Sequence, residues 1–126
     1  MVLLTTNTTS YKGPTTVTGG SFLDLGAIPI ANIGGGTAAG RNITLNSGSI
    51  LRFSALSNAL LNRIVETSSE ITVMSATTGN NLDFSSSTGA NLPNAFLGNF
   101  ATNGAKMEYS GTLTPASDSY RLGSPS

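Results

Sequence analysis

The sequence predicts an all-β fold wound as a parallel β-helix (β-solenoid) of about four to five coils with loop insertions. Three observations predict it. Thr, Ser, Gly and Asn supply 61 of the 126 residues, while charged residues supply 10%. A short glycine-led pattern returns four times along the chain. The copies are separated by 25 to 31 residues, room for two or three short strands per coil and too little for an independent domain.

Composition sets the fold class. Leu, Ile, Val and Phe number 30 and the formal net charge is zero, so the chain lacks the signature of disorder and holds enough apolar matter for a thin core. Thr suits a pleated surface, and Asn and Gly suit turns that need positive φ. With two Lys and three Glu in the chain, solvent-facing helices have little to be made of.

The repeat reads Gly, two variable residues, then apolar, charged, apolar. Its copies are Gly20 to Leu25, Gly48 to Phe53, Gly79 to Phe84 and Gly104 to Tyr109, with the glycines 28, 31 and 25 residues apart. Each copy reads as a turn followed by a strand. Glycine permits the left-handed backbone of the turn. The triplet then alternates with the period of two that sends successive side chains to opposite faces. Stacked in register, Leu23, Leu51, Leu82 and Met107 form one interior column, and Leu25, Phe53, Phe84 and Tyr109 a second. Asp24, Arg52, Asp83 and Glu108 line the outside. The alternating signs of the first three suit strands about 4.8 Å apart, whereas Asp83 beside Glu108 does not, and points to an intervening turn or a slipped register. Val17 and Leu45, three places before Gly20 and Gly48, extend the likeness of the first two copies.

The whole chain, 1–126, is thus expected to be one solenoid segment, with units around 15–26, 42–55, 71–85 and 100–115. The alternative is a β-sandwich of hairpins, with Asn46-Ser47-Gly48 as a turn between 43–45 and 50–52. Residues 27–41, with Gly34-Gly35-Gly36-Thr37-Ala38-Ala39-Gly40, are expected to be a loop. Residues 57–66 carry apolar residues at 60, 61, 64 and 65 and read as one or two helical turns capped by Ser57 or Asn58, or as a loop. Leu92 to Leu97 reads as a loop that tucks Phe96 inward.

The stretch Tyr11-Lys12-Gly13-Pro14-Thr15-Thr16-Val17-Thr18-Gly19-Gly20, followed by Ser21 to Leu25, resembles the phrase of autotransporter-associated β-strand repeats. The segment from Tyr109-Ser110-Gly111-Thr112-Leu113-Thr114-Pro115-Ala116 to Tyr120-Arg121-Leu122-Gly123 is similar to a phrase of very large bacterial repeat proteins of that kind. The likeness covers both ends well and the middle loosely. It implies a right-handed parallel β-helix in a secreted or surface-anchored protein, serving as stalk, adhesin or scaffold. It transfers no catalytic residue. Members are far longer, so a fragment or an assembling unit is expected.

The candidate chemistry is sparse. There is no His, so imidazole bases and His metal sites are excluded. There is no Cys, hence no disulfide framework or thiolate site, and zinc or copper is not expected. The acids Asp24, Glu66, Glu70, Asp83, Glu108 and Asp118 are never closer than four residues, which disfavours a calcium loop. Glu66 and Glu70 would share a face if a helix existed there, although a solvated loop edge is the plainer reading. The glycine-rich segment is followed by a strand rather than a helix, against a phosphate cradle. Asn7-Thr8-Thr9 and Asn42-Ile43-Thr44 match the glycosylation pattern by composition. Tyr11, Tyr109 and Tyr120 could face a sugar, with turn or core packing the favoured alternative. Zero net charge disfavours nucleic acid. No apolar run spans a bilayer, and Met1-Val2-Leu3-Leu4 lacks the basic flank of a signal peptide. The expectation is a non-catalytic structural or adhesive segment without cofactors, extracellular or at the cell surface. Its expected partners are a copy of itself end to end, or a cell-surface or carbohydrate target. The alternatives are a self-assembling filament subunit and a polysaccharide-binding or polysaccharide-acting β-helix.

Overall fold

A computed structural model of the protein describes residues 2–3, 13–33, 40–66, 70–75, 79–99 and 108–123. The described residues form a mostly β chain whose parallel sheets stack as a β-solenoid of about three turns. The long sheet has the order β1-β3-β5-β7-β9, from Val2–Leu3, Phe22–Asp24, Ile50–Phe53, Ile71–Ser75 and Ala95–Asn99. A second sheet has the order β2-β4-β6, from Thr15–Val17, Ile43–Leu45 and Ile64–Glu66. On the third side, successive coils contribute a 3-10 turn (Ile30–Asn32), helix α1 (Asn58–Leu61), and strands β8 (Leu82–Asp83) and β10 (Leu113–Thr114), of which β8 and β10 pair.

Every strand pairing among the described residues is parallel. The hairpin that a sandwich needs is therefore absent where the sequence allowed one: β4 and β5, on either side of Asn46-Ser47-Gly48, belong to different sheets. A parallel partner must come from the next coil, because a short turn cannot reverse and re-reverse the chain. Backbone bonds tie each coil to the next at the turns as well as along the strands: Ile50 N–H to Ser21 O (2.9 Å), Thr72 N–H to Ser49 O (2.9 Å), and Gly48 N–H to Glu70 O (2.8 Å).

The turn glycines behave as the repeat requires in the first two copies. Gly20 and Gly48 have φ of 70° and 73°, backbone that a side chain rarely adopts. The two turns sit one on the other, close enough that a Cβ at Gly19 would lie 2.8 Å from the Ser47 carbonyl oxygen. Buried Ser49 fastens them, its hydroxyl donating to Val17 O (2.9 Å) and Thr18 O (3.1 Å).

The core is a thin apolar seam between the three sides. The long sheet gives it Leu23, Leu51, Phe53 and Val73, the second sheet Val17, Ile43, Leu45 and Ile64, and the third side Leu60, Leu61, Leu82 and Phe84. Helix α1 forms because Ser57, in extended backbone, accepts from Leu60 N–H and supplies the first turn's missing acceptor. The helix-like reading of 57–66 thus holds for its first half only. The β-branched pair Ile64-Val65 continues as strand β6. Glu66 and Glu70 consequently share no helix face: Glu66 closes β6 and Glu70 precedes β7.

The register departs from the sequence reading after the second copy. Leu23 pairs with Leu51, and Val17 with Leu45, as the repeat predicts. The next member of the column is Val73, opposite Leu51, and the one after it is Leu97, opposite Val73. Leu82 does not stack on Leu51. It pairs with Leu113 on the third side, where it and Phe84 are buried in a different part of the seam. Gly79 is not among the glycines of positive φ. Residues 67–69, between β6 and β7, lie outside the described residues, and the sequence from Thr67 to Glu70 carries no glycine. Gly104 and Met107 lie outside the described residues. Tyr109 does not continue the Phe53 column; half-buried, it packs at the core's margin with its hydroxyl donating to Asn80 O. The place opposite Phe53 is taken by buried Ser75. Residues 95–97, expected in a loop, lie in strand β9. Phe96 is on the outward row with Phe22, Ile50 and Thr72, not tucked inward.

Candidate functional site

Among the described residues, the polar and charged side chains gather on the outward row of the long sheet, at clasps between coils, and beside the rung of residues 121–123. On the outward row, Asp24 and Arg52 occupy partnered positions in β3 and β5. Their ion pair is 2.7 Å long, and Asp24 is only 2% exposed, its other oxygen accepting from Gly26 N–H at 2.8 Å. The alternation of sign that the sequence showed is a real contact. The row then continues through Met74 and Gly98. Asp83 is not in this row: it lies in β8 on the third side, partnered with Thr114, and Glu108 lies outside the named strands, so the two acids are not stacked neighbours.

The clasps use charged groups for architecture. Arg63 is 4% exposed, and its Nη1 donates to Ile30 O (3.0 Å) and Ile33 O (2.6 Å), carbonyls of the preceding coil that the 3-10 turn leaves without a strand partner. Arg41 donates to Ala90 O. Glu66, at the end of the second sheet, receives Asn94 N–H (3.1 Å) and Asn94 Nδ2 (3.1 Å). Burial pushes its carboxyl up from the usual value, and the Asn94 donors and the positive charge of Arg121 offset only part of that. The Asp83 carboxylate holds the loop that follows β8, accepting from Ser85 N–H (2.9 Å) and the Thr88 hydroxyl (2.6 Å). The Ser85 and Thr88 donors hold Asp83 below the ordinary carboxylate range. On the third side, Asp83 N–H donates to Asn58 Oδ1 (2.8 Å) and Asn80 Nδ2 to Leu56 O (2.7 Å), stitching β8 to the coil of α1.

At the far end of the long sheet, Leu122 bridges to Leu97 in parallel. A cavity of about 520 Å³ opens beside it, lined by Met74, Leu97, Glu108, Tyr109, Leu113 and Leu122 among others. Among the described residues, no group of three acidic side chains is placed to hold a metal ion. Among the described residues, no helix is long and apolar enough to cross a membrane. Tyr120 is exposed and Tyr109 half-buried. Tyr11 and residues 34–39 of the glycine-rich segment lie outside the described residues. The clasps at Arg63 and Glu66 were not legible in the sequence, since each joins residues about thirty positions apart that only the coil register brings together.

The chain matches no protein-family model, no curated protein and no solved structure.

Proposed function

We propose that this chain is a non-catalytic structural segment of an extracellular or cell-surface bacterial protein, a rigid spacer or scaffold that holds neighbouring domains apart. The observation that carries the reading is the unbroken parallel ladder of the long sheet, whose five strands keep one register. Each coil is hydrogen-bonded to the next, so bending the stack requires breaking backbone bonds on several sides at once. The scattered charges are spent on clasps between coils, as at Asp24–Arg52 and Arg63, rather than gathered around a cleft. The likeness of residues 11–25 to autotransporter-associated repeats supports the placement outside the cell.

The absence of cysteine gives a clean test. Cysteines introduced at the exposed positions Gly13 and Asp118 carry a dye pair for single-molecule energy transfer. A rigid solenoid gives one narrow distance distribution that persists until global unfolding. A compliant chain of the intervening length would spread around roughly 50–60 Å, the dimension of a flexible coil of about a hundred residues, and that result would overturn the reading. So would turnover of a pectin-like or alginate-like polymer that is lost in Asp83→Ala.

A further inference from the structure

Strand β9 carries Phe96 and Leu97 among its five residues. An apolar strand edge is a template for unwanted pairing, and folds blunt it with a short edge strand or a covering loop. Residues 121–123 cover the edge of β9. Leu97 N–H donates to Arg121 O (2.9 Å) and Gly123 N–H donates to Leu97 O (3.0 Å), so this segment lies along β9 and meets it at one residue. On its other side β9 is partnered with β7 at five successive positions. The cover is also lightly packed. Every residue from 117 to 123 is exposed, Tyr120 and Leu122 by 62% and 64%. A cavity of about 30 Å³ lies between residues 119–122 and Phe84, Leu92, Ala95 and Leu97, so the segment crosses the seam without filling it. Arg121 is what fastens it. The guanidinium sits 5.4 Å from the centre of the Phe96 ring and reaches across β9 to the coil of β7, 3.9 Å from the Glu70 carboxylate. Its charge is felt at Glu66, where β6 ends.

We propose that residues 117–123 form a strap that opens as a unit while the solenoid stays folded, with Arg121 as its latch, and that the closed strap shields the β9 edge and the seam beneath it. The argument is one of what each opening breaks. Lifting the strap breaks the backbone bonds at Leu97 and the two contacts of Arg121, and it uncovers no large side chain of the strap itself, since those are exposed already. Unfolding the solenoid breaks the ladder of the long sheet and empties the core. Openings that break few buried contacts are the frequent ones. An exposed ion pair and an exposed contact of a cation with an aromatic face each shift such an equilibrium by a few-fold, so the latch as a whole holds the strap shut by a factor of about three to thirty. Closed, the strap presents three residues to solvent in place of the five of β9, which is the way short edge strands discourage pairing.

Native-state hydrogen exchange on the whole chain, followed by nuclear magnetic resonance, tests this. The Leu97 and Gly123 amides bond across the strap and report its opening, while the Thr72 amide, bonded to Ser49 O (2.9 Å) inside the ladder, reports the solenoid. Corrected for intrinsic rates, Leu97 and Gly123 are expected to exchange at least about a hundredfold faster than Thr72, at rates that low urea does not change. Arg121→Gln speeds both by about three- to thirtyfold and leaves Thr72 and the circular dichroism as they were. Glu70→Gln reproduces part of this, up to about fivefold, and so does salt at about 0.5 M in the wild type. Arg121→Lys, which keeps the charge, falls between the wild type and Arg121→Gln. A Leu97 amide as slow as Thr72 overturns the strap. Equal Leu97 exchange in the wild type and Arg121→Gln overturns the latch. Thr72 quickened along with Leu97, or a fold lost in Arg121→Gln, overturns the independence of the two and with it the proposal. The spacer reading is untouched by these outcomes, because it rests on the ladder from β1 to β9 and is read from the distance distribution.

Discussion

Leu51 and Leu122 occupy the same inward column, are chemically identical, and differ in what lies above and below them, so replacing each with alanine measures what the column is worth. Leu51 is fully buried between Leu23 and Val73. Truncation to alanine removes three carbons, about 2.4 kcal/mol of transfer free energy at ~0.8 kcal/mol per methylene. A cavity cost adds to this. The walls are strands bonded on both sides, which cannot collapse inward without breaking ladder bonds, so the loss belongs in the upper half of the roughly 2–5 kcal/mol found for buried leucines. Leu122 is already 64% exposed, and its truncation at micromolar concentration should change stability by less than about 0.5 kcal/mol, as for ordinary surface sites. Urea unfolding followed by far-ultraviolet circular dichroism reads both. Leu51→Ala should lower the midpoint with an unchanged slope, and Leu122→Ala should leave the midpoint in place. Equal losses, or a Leu51→Ala loss under 1 kcal/mol, would mean that the column does not carry the core and would refute the stacking argument.

Arg63→Met keeps the stem's volume but removes the donor to Ile30 O and Ile33 O; two carbonyls left without it should cost about 2–4 kcal/mol, read as a lowered urea midpoint, whereas a neutral result would show water or relaxation replacing the guanidinium. For Glu66, whose folded-state carboxyl sits above the ordinary value of 4.5, the folded protein binds the proton more tightly than the unfolded chain. The stabilisation this gives is complete below pH 4.5 and is lost as pH rises through the folded value. Glu66→Gln should therefore be at least as stable as the wild type at pH 7, with the difference shrinking toward pH 4, and a gap that widened on acidification would contradict burial as the dominant influence.

The fold class, the first two coils and their turns were legible because they depend on local chemistry. Glycine at positions 20 and 48 answers a positive φ, and alternation over 23–25 and 51–53 answers a two-faced strand, so residues 28 apart repeat the same sentence. Ser57 capping α1 is equally local. Composition, too, speaks for the whole chain at once, which is why β-structure with a thin core could be inferred without any contact. The third coil was not legible, and the reason is physical. The sequence before its strand, Thr67-Ser68-Ser69-Glu70, has no glycine, the strand Ile71–Ser75 carries no charged residue to complete the pattern, and steps along the column shorten to 22 and 24 residues (51 to 73, 73 to 97). A glycine-led triplet at 79–84 imitates the repeat but is drawn to the third side, where Leu82 can pair with Leu113 and pack beside α1. A strand's pattern states that one of its faces is buried; which partner buries it depends on how many residues the intervening loops consume. That quantity belongs to the closed coil, and with it come Val73 above Leu51, Arg63 beneath the carbonyls of residues 30 and 33, and Leu122 bridged to Leu97.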